Sequence, residues 1–156
     1  MAVKYNRWLR SYVGHQRIFQ VRVAGFIRDD SGKVLLCRRA DVMLWDLPGG
    51  TIELDETPAT GLVRELRQET GLIIEPNRLI GVYAGHDFEW TYPNGDQAQI
   101  VSMLLEARVV DGTLHAANRE NVQLGYFPPD RLPTLLPRTV RMVRDALEGR
   151  AEAHFD

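Results

Sequence analysis

The sequence predicts an α/β fold in which a mixed β-sheet is sandwiched between helices. Three observations predict it. Segments patterned as strands, at 18–27, 33–39, 79–92, 97–110 and 121–127, are separated by clusters of turn-forming residues. They surround one strongly patterned helix at 57–70, and a second amphipathic segment at 139–147 follows the last strand. Strands with one central and one terminal helix bury their apolar surfaces most simply as an α/β/α sandwich.

Taken in order, the chain of 156 residues has the size of a single domain, 1–156, with residues 1–17 as an N-terminal extension. In that extension Val3, Tyr5, Trp8, Leu9 and Tyr12 alternate with Lys4, Arg7 and Arg10, a pattern for a short helix packed on the domain or on a partner subunit. In the first strand Ile18, Gln20 and Arg22 alternate with Phe19, Val21 and Val23, and the pattern then turns continuously apolar. Asp29-Asp30-Ser31-Gly32 reads as a tight turn. The next strand then returns as the second arm of a hairpin, with Val34, Leu35 and Leu36 buried. Trp45 is expected to pack the loop before Leu47-Pro48-Gly49-Gly50. In the 79–92 segment Phe88, Trp90 and Tyr92 alternate and so share a strand face, read as core or subunit contact ahead of a base-stacking row. Pro93-Asn94-Gly95-Asp96 turns the chain into the long 97–110 strand, and Asp111-Gly112 turns it again. A polar loop at 114–120 leads to the 121–127 strand, Pro128 to Pro133 form a turn or short helix, and the last helix presents Val140, Val143 and Leu147 on one face.

Composition excludes several functions. Hydrophobic residues are 44% of the chain, enough for a core, and the net charge of -2 gives no basic footprint for duplex nucleic acid or an anionic membrane. No apolar stretch reaches the length of a membrane span, and the first residues lack the apolar centre of a secretory signal. The single cysteine, Cys37, sits in an apolar run and reads as a buried, inert thiol in a reducing compartment. The expected location is the cytoplasm. His15, His86, His115 and His154 show no metal-ligand spacing, and His86 is the one considered as a substrate contact.

The chemistry concentrates between Gly49 and Leu72. Thr57 suits a helix N-cap, Pro58 the first helical position, and Gly71 the left-handed residue that ends a helix. Ala59, Leu62, Val63 and Leu66 form the predicted buried stripe. Glu65 and Glu69, four residues apart, then project from one face. Two carboxylates held that close call for a positive partner, and a hard divalent cation with oxygen ligands fits.

Gly50, Glu56, Arg64, Glu65, Leu66, Glu69, Gly71 and Leu72 stand at the spacing of the Nudix box, and this segment strongly resembles it. The departure is Gln68, where the family has glutamate. The resemblance implies the Nudix fold and hydrolysis of a phosphoanhydride bond in a nucleoside diphosphate linked to another moiety. It implies Mg²⁺ or Mn²⁺ held by Glu65 and Glu69, with Gln68 as a weakened ligand and the Gly49 carbonyl completing the site. It also implies a structural pair of Glu56 with Arg64, and Arg39 near the substrate phosphates. The general base falls to Glu65 or to Glu120, which follows Asn118 and Arg119 on the late loop where relatives carry an acidic residue. Gln123 stands where many relatives have a further glutamate. A small-molecule nucleotide is the expected partner; many relatives are homodimers, and the sequence alone does not decide between that assembly and a monomer. The competing reading is a catalytically impaired Nudix domain that senses an ADP-ribose-like ligand, because Gln68 removes a charge. An isoprenoid diphosphate isomerase is disfavoured by the placement of Cys37.

Overall fold

The computed structural model describes residues 4–116 and 120–155; the readings placed on Val3, Asn118 and Arg119 lie outside the described residues. The elements are α1 (Tyr5–Val13), β1 (Ile18–Ile27), β2 (Val34–Arg39), β3 (Trp45–Asp46), β4 (Gly49–Thr51), α2 (Pro58–Thr70), β5 (Leu72–Tyr83), β6 (Glu89–Thr91), β7 (Gln97–Gly112), β8 (Asn121–Phe127) and α3 (Pro137–Glu148). One mixed sheet has the order β4-β1-β7-β5, with β6 also paired to β7. Strand β1 runs parallel to β7 and antiparallel to β4. A second sheet, β3-β2-β8, is antiparallel.

The continuously apolar half of β1 reflects burial on both faces. Val23 and Ile27 pack with Leu62 and Leu66 of α2, and Ala24 and Phe26 pack with Met142, Val143 and Ala146 of α3. Strand β2 divides likewise, Leu35 facing the first group and Val34 and Leu36 the second. Leu62 and Leu66 are wholly buried, each stabilising the fold by about 1.5–3 kcal/mol. This two-sided core is the expected α/β/α sandwich.

Several local expectations are corrected. β1 and β2 do not form a hairpin, because both flanks of β1 are taken, by β4 and β7. The Asp29 carboxylate accepts from the Ser31 and Lys33 N–H groups and turns the chain into the second sheet. The strand expected from 79 begins at Leu72 and ends at Tyr83. Its first part carries Glu75, Pro76 and Asn77, residues that are poor strand formers; the ladder takes in Pro76 at a shift in register. The aromatic row is broken, since Phe88 is the buried residue of a 3-10 turn, Trp90 lies in β6 and Tyr92 beyond it. All three pack on the core, as the favoured reading had it. In the first half of β1 the polarity is inverted: Gln20 is 7% exposed whereas Phe19 is 70% exposed. Ala59 lies outside the α2 stripe, and α3 buries Thr139, Met142, Val143 and Ala146 while Val140 and Leu147 are exposed.

Candidate active site

The site is built on α2 and the loop before it. Thr57 caps the helix: its hydroxyl accepts from the Thr60 N–H, and the Thr60 hydroxyl accepts from the Thr57 N–H. Gly71 ends the helix at φ 75°, as its sequence position predicts. Arg64, two turns into α2, ties the helix back to the loop. Its Nε and one terminal nitrogen grip Glu56 at 2.5 and 2.9 Å, and the latter also reaches the Thr51 carbonyl at 3.0 Å. Its other terminal nitrogen donates to Glu65 at 2.7 Å and to the Gln68 side-chain oxygen at 3.3 Å. Glu56 in turn accepts from the Glu53 N–H, closing the loop. Arg64 holds the Glu56 carboxyl below its usual range. The pair expected to join loop to helix is therefore in place, and it also aims Glu65.

Arg64→Ala is expected to lower stability by about 2 kcal/mol, because several charge-assisted bonds go at once. Arg64→Lys should recover only part, since an ammonium lacks the two-pronged geometry. Denaturant midpoints for the two variants check this; equal midpoints for wild type and Arg64→Ala would contradict it.

Glu69 lies one turn beyond Glu65 and is 4% exposed. The Gly49 N–H donates to its Oε2 at 3.0 Å. Burial, followed by the charge of Glu65, pushes the Glu69 carboxyl up to about 8; Glu120 adds to the rise, and the Gly49 N–H and Arg22 oppose it. Gly50 makes room for Glu65: a Cβ at residue 50 would overlap the Glu65 carboxylate. This acidic cluster suits a hard divalent cation, whose charge favours ionised Glu69 and whose preference is for oxygen ligands. The Gln68 side-chain oxygen is also directed here, although it accepts from Arg64. Among the described residues, the group that brings three potential metal-ligand atoms within 4.8 Å is a different one: Asp145, Glu148 and His154. There Asp145 already accepts from the Tyr83 hydroxyl and lies beside Arg144.

Glu65, Gln68, Glu69 and Glu120 open into one cleft of about 750 Å³. Arg39 lines it too, its guanidinium gripping Asp41 at 2.9 and 2.7 Å and lying 3.5 Å from Asp46. The sequence thus named residues that the fold does bring together. It missed Arg22, Asp46 and Asn121, which line the same cleft. Asp46 is 6% exposed and accepts from the Leu47 N–H at 2.8 Å and from the Thr139 hydroxyl at 2.6 Å. Burial pushes its carboxyl up, yet Arg22, Arg138, Thr139 and Arg39 together hold it below the ordinary value. Arg138 stacks on Trp90 at 4.9 Å and lies 3.6 Å from Asp46; burial, with Arg22 nearby, pushes it down to about 10. The only local signal for this cluster was an acid between Trp45 and Leu47 in an apolar context. Cys37 is buried at the cleft wall, as expected, with its thiol raised by burial. Trp45 packs against Phe127 at 4.7 Å. His86 is not a cleft residue: its side chain is 91% exposed and lies beside Glu89. Gln123 is exposed on β8.

Residues 18–146 match the NUDIX domain. The chain is 33% identical over 134 residues to a MutT-like protein of Streptomyces ambofaciens, covering 85% of this chain and 79% of that one. It is 32% identical over 133 residues to the ADP-ribose pyrophosphatase of Methanocaldococcus jannaschii, covering 83% and 74%. Its structure is similar to that of an ADP-ribose pyrophosphatase from Streptococcus suis, with a TM-score of 0.72 and 26% identity over 89% of this chain and 100% of that one.

Proposed function

The chain belongs to the NUDIX domain family, and we propose on that premise that it is a Mg²⁺- or Mn²⁺-dependent pyrophosphohydrolase. It acts on phosphoanhydrides, as pyrophosphatases of the family do. Its substrate is a small nucleotide, a nucleoside diphosphate linked to another moiety, with ADP-ribose the first compound to test. The observation that carries this reading is the convergence of Glu65, Glu69, Glu120 and Arg39 on one cleft.

In this reading Glu65 and Glu69 hold the metal, with Gln68 as a neutral ligand. When bound there, a divalent cation would neutralise phosphate charge and make water easier to deprotonate. Glu65 and Glu120 are the carboxylates assigned to take the proton of the attacking water. Arg39, preset by Asp41 and Asp46, binds the phosphate oxygens. Arg64 and Glu56 keep the loop and helix in register, and Gly50 leaves Glu65 its space. We place this single-domain enzyme in the cytoplasm, consistent with its lone buried thiol, and propose a homodimer, in keeping with the exposure of Trp8, Tyr12 and Phe19. Among the described residues no helix is long and apolar enough to cross a membrane.

The substrate class is tested by incubating ADP-ribose, a sugar nucleotide and an oxidised nucleoside triphosphate in ¹⁸O-water, with mass analysis of the products. Attack at phosphorus puts the label in a phosphate. A label in the sugar, or no product from any of them, would refute the reading.

Two further outcomes follow from the ligands. Gln68→Glu adds a carboxylate and is expected to tighten Mn²⁺ binding by about tenfold. If neither Mn²⁺ affinity nor turnover changes, Gln68 lies outside the metal site. Metal binding must also displace the Glu69 proton, so Mn²⁺ affinity should rise by up to about tenfold per pH unit as pH approaches 8 and then level off. The sign for stability is opposite to that of an ordinary paired carboxylate. Between 4.5 and about 8 the folded Glu69 keeps its proton while the unfolded one does not, so the metal-free fold loses stability as pH rises through that window. Calorimetric titrations across this range would contradict the assignment if affinity were flat.

A further inference from the structure

The family match begins at residue 18, so α1 lies outside it. Yet α1 borders the cleft, which Lys4, Asn6 and Arg7 line together with Arg39, Glu65 and Glu69. Core packing does not explain its position, since no residue of α1 is fully buried and Trp8 and Tyr12 are exposed. Polar tethers fix it at both ends instead. At its start the Tyr5 N–H donates to Glu53 Oε2 at 2.7 Å, and Glu53 belongs to the loop between β4 and α2. At its end Arg10 donates to the Gly14 carbonyl at 3.0 Å and to the Gln97 carbonyl at 2.6 Å. Just beyond the helix, His15 lies 2.6 Å from Asp96.

The charges on α1 divide in the same sense. Arg10 lies 3.6 Å from Asp96, whereas Lys4 and Arg7 have no carboxylate partner among the described residues. A second cavity of about 480 Å³ shares Asn6, Arg7, Asp41 and Tyr92 with the cleft, so Arg7 stands where the two meet. Arg22, Arg39 and Arg138 are all committed in part to Asp46. Lys4 and Arg7 are therefore the cleft cations without a carboxylate to neutralise them.

We propose that α1 is a wall of the active cleft and that Arg7, with Lys4, binds the phosphate chain of the substrate. This rests on the hydrolase reading for the identity of the substrate, but the anion site can be tested without turnover. The ligand class is a polyphosphate chain, bare or esterified, because two cations without carboxylate partners, Lys4 just before α1 and Arg7 on it, add charge complementarity without a shaped pocket of their own. Tethering through Glu53 couples this wall to the loop that joins β4, the strand of Gly49 and Gly50, to α2, so the helix is held in a fixed relation to the carboxylates.

The probe is inorganic tripolyphosphate with Mg²⁺, its binding followed by calorimetry. The wild-type chain should bind it, Arg7→Ala about fivefold more weakly, and Lys4→Ala/Arg7→Ala at least about tenfold more weakly. Arg131→Ala, an exposed cation outside the cleft, should bind as the wild type does. Thermal unfolding should be unchanged in all three, because none of these side chains packs in the core. With a hydrolysed nucleotide, the loss should fall on KM, with kcat within about twofold. Equal affinity in the wild type and the double variant would overturn the proposal, as would failure of the wild type to bind tripolyphosphate. Binding that depends on Arg7 in a protein that hydrolyses no nucleotide would sink the hydrolase reading and leave this one standing.

Discussion

Glu65→Gln is expected to lower turnover by about a thousandfold while leaving the fold intact. The two side chains have the same shape, and the glutamine oxygen can still accept from Arg64, which reaches Glu65 at 2.7 Å. What disappears is the charge that, in the proposed role, would hold the metal or take the proton. Stability should change little, since the substitution also relieves repulsion with Glu69. Circular dichroism and a denaturant midpoint would establish the fold, and steady-state kinetics the loss. Turnover within a factor of about ten of wild type would overturn the place given to Glu65.

Gly50→Ala is expected to be the next most damaging change. The new methyl would overlap the Glu65 carboxylate, which is held between Gly50 and Arg64. The backbone at Gly50 is not in the left-handed region, so an alanine can adopt it and the effect acts through space alone. Either Glu65 leaves its bond with Arg64 or β4 shifts away from α2. Overpacking of this kind destabilises by about 1–3 kcal/mol, and a displacement of about 1 Å in a catalytic group lowers rates by about a hundredfold. The pairing of both losses in one variant is the expected signature. A variant with normal turnover would mean that Glu65 works equally well from another position.

The parts of this molecule that could be read in the sequence are those fixed by local chemistry. The ends of α2 follow from Thr57, Pro58 and Gly71, whose roles depend on backbone conformation within a few residues. The 18–27 and 121–127 strands came out at their observed bounds. Glu65 and Glu69 share a face because helix geometry requires it. The failures arise where long-range pairing decides. Gln20 and Arg22 look solvent-facing in β1, but the Gln20 amide accepts from the Tyr92 hydroxyl at 2.8 Å and Arg22 lines the cleft. Phe19 and Val21 look buried by the same alternation and are exposed. Asp46 gains its meaning from Arg39, Arg138 and Thr139, the last of which is 93 positions away. No window of local sequence joins those residues. The aromatic alternation at Phe88, Trp90 and Tyr92 promised a continuous strand, and Gly85 at φ 94° with the following 3-10 turn broke it.

In the proposed reaction the carboxylates on α2 hold a divalent cation without which no phosphoanhydride is hydrolysed. The most direct test is hydrolysis of ADP-ribose by the metal-stripped protein, titrated first with Mg²⁺ and separately with Mn²⁺, with phosphatase added to reveal the products. No turnover is expected in the presence of chelator, and a saturable return of activity with either metal is expected, absent in Glu65→Gln. Turnover that persists undiminished in chelator, or that returns equally in Glu65→Gln, would contradict it.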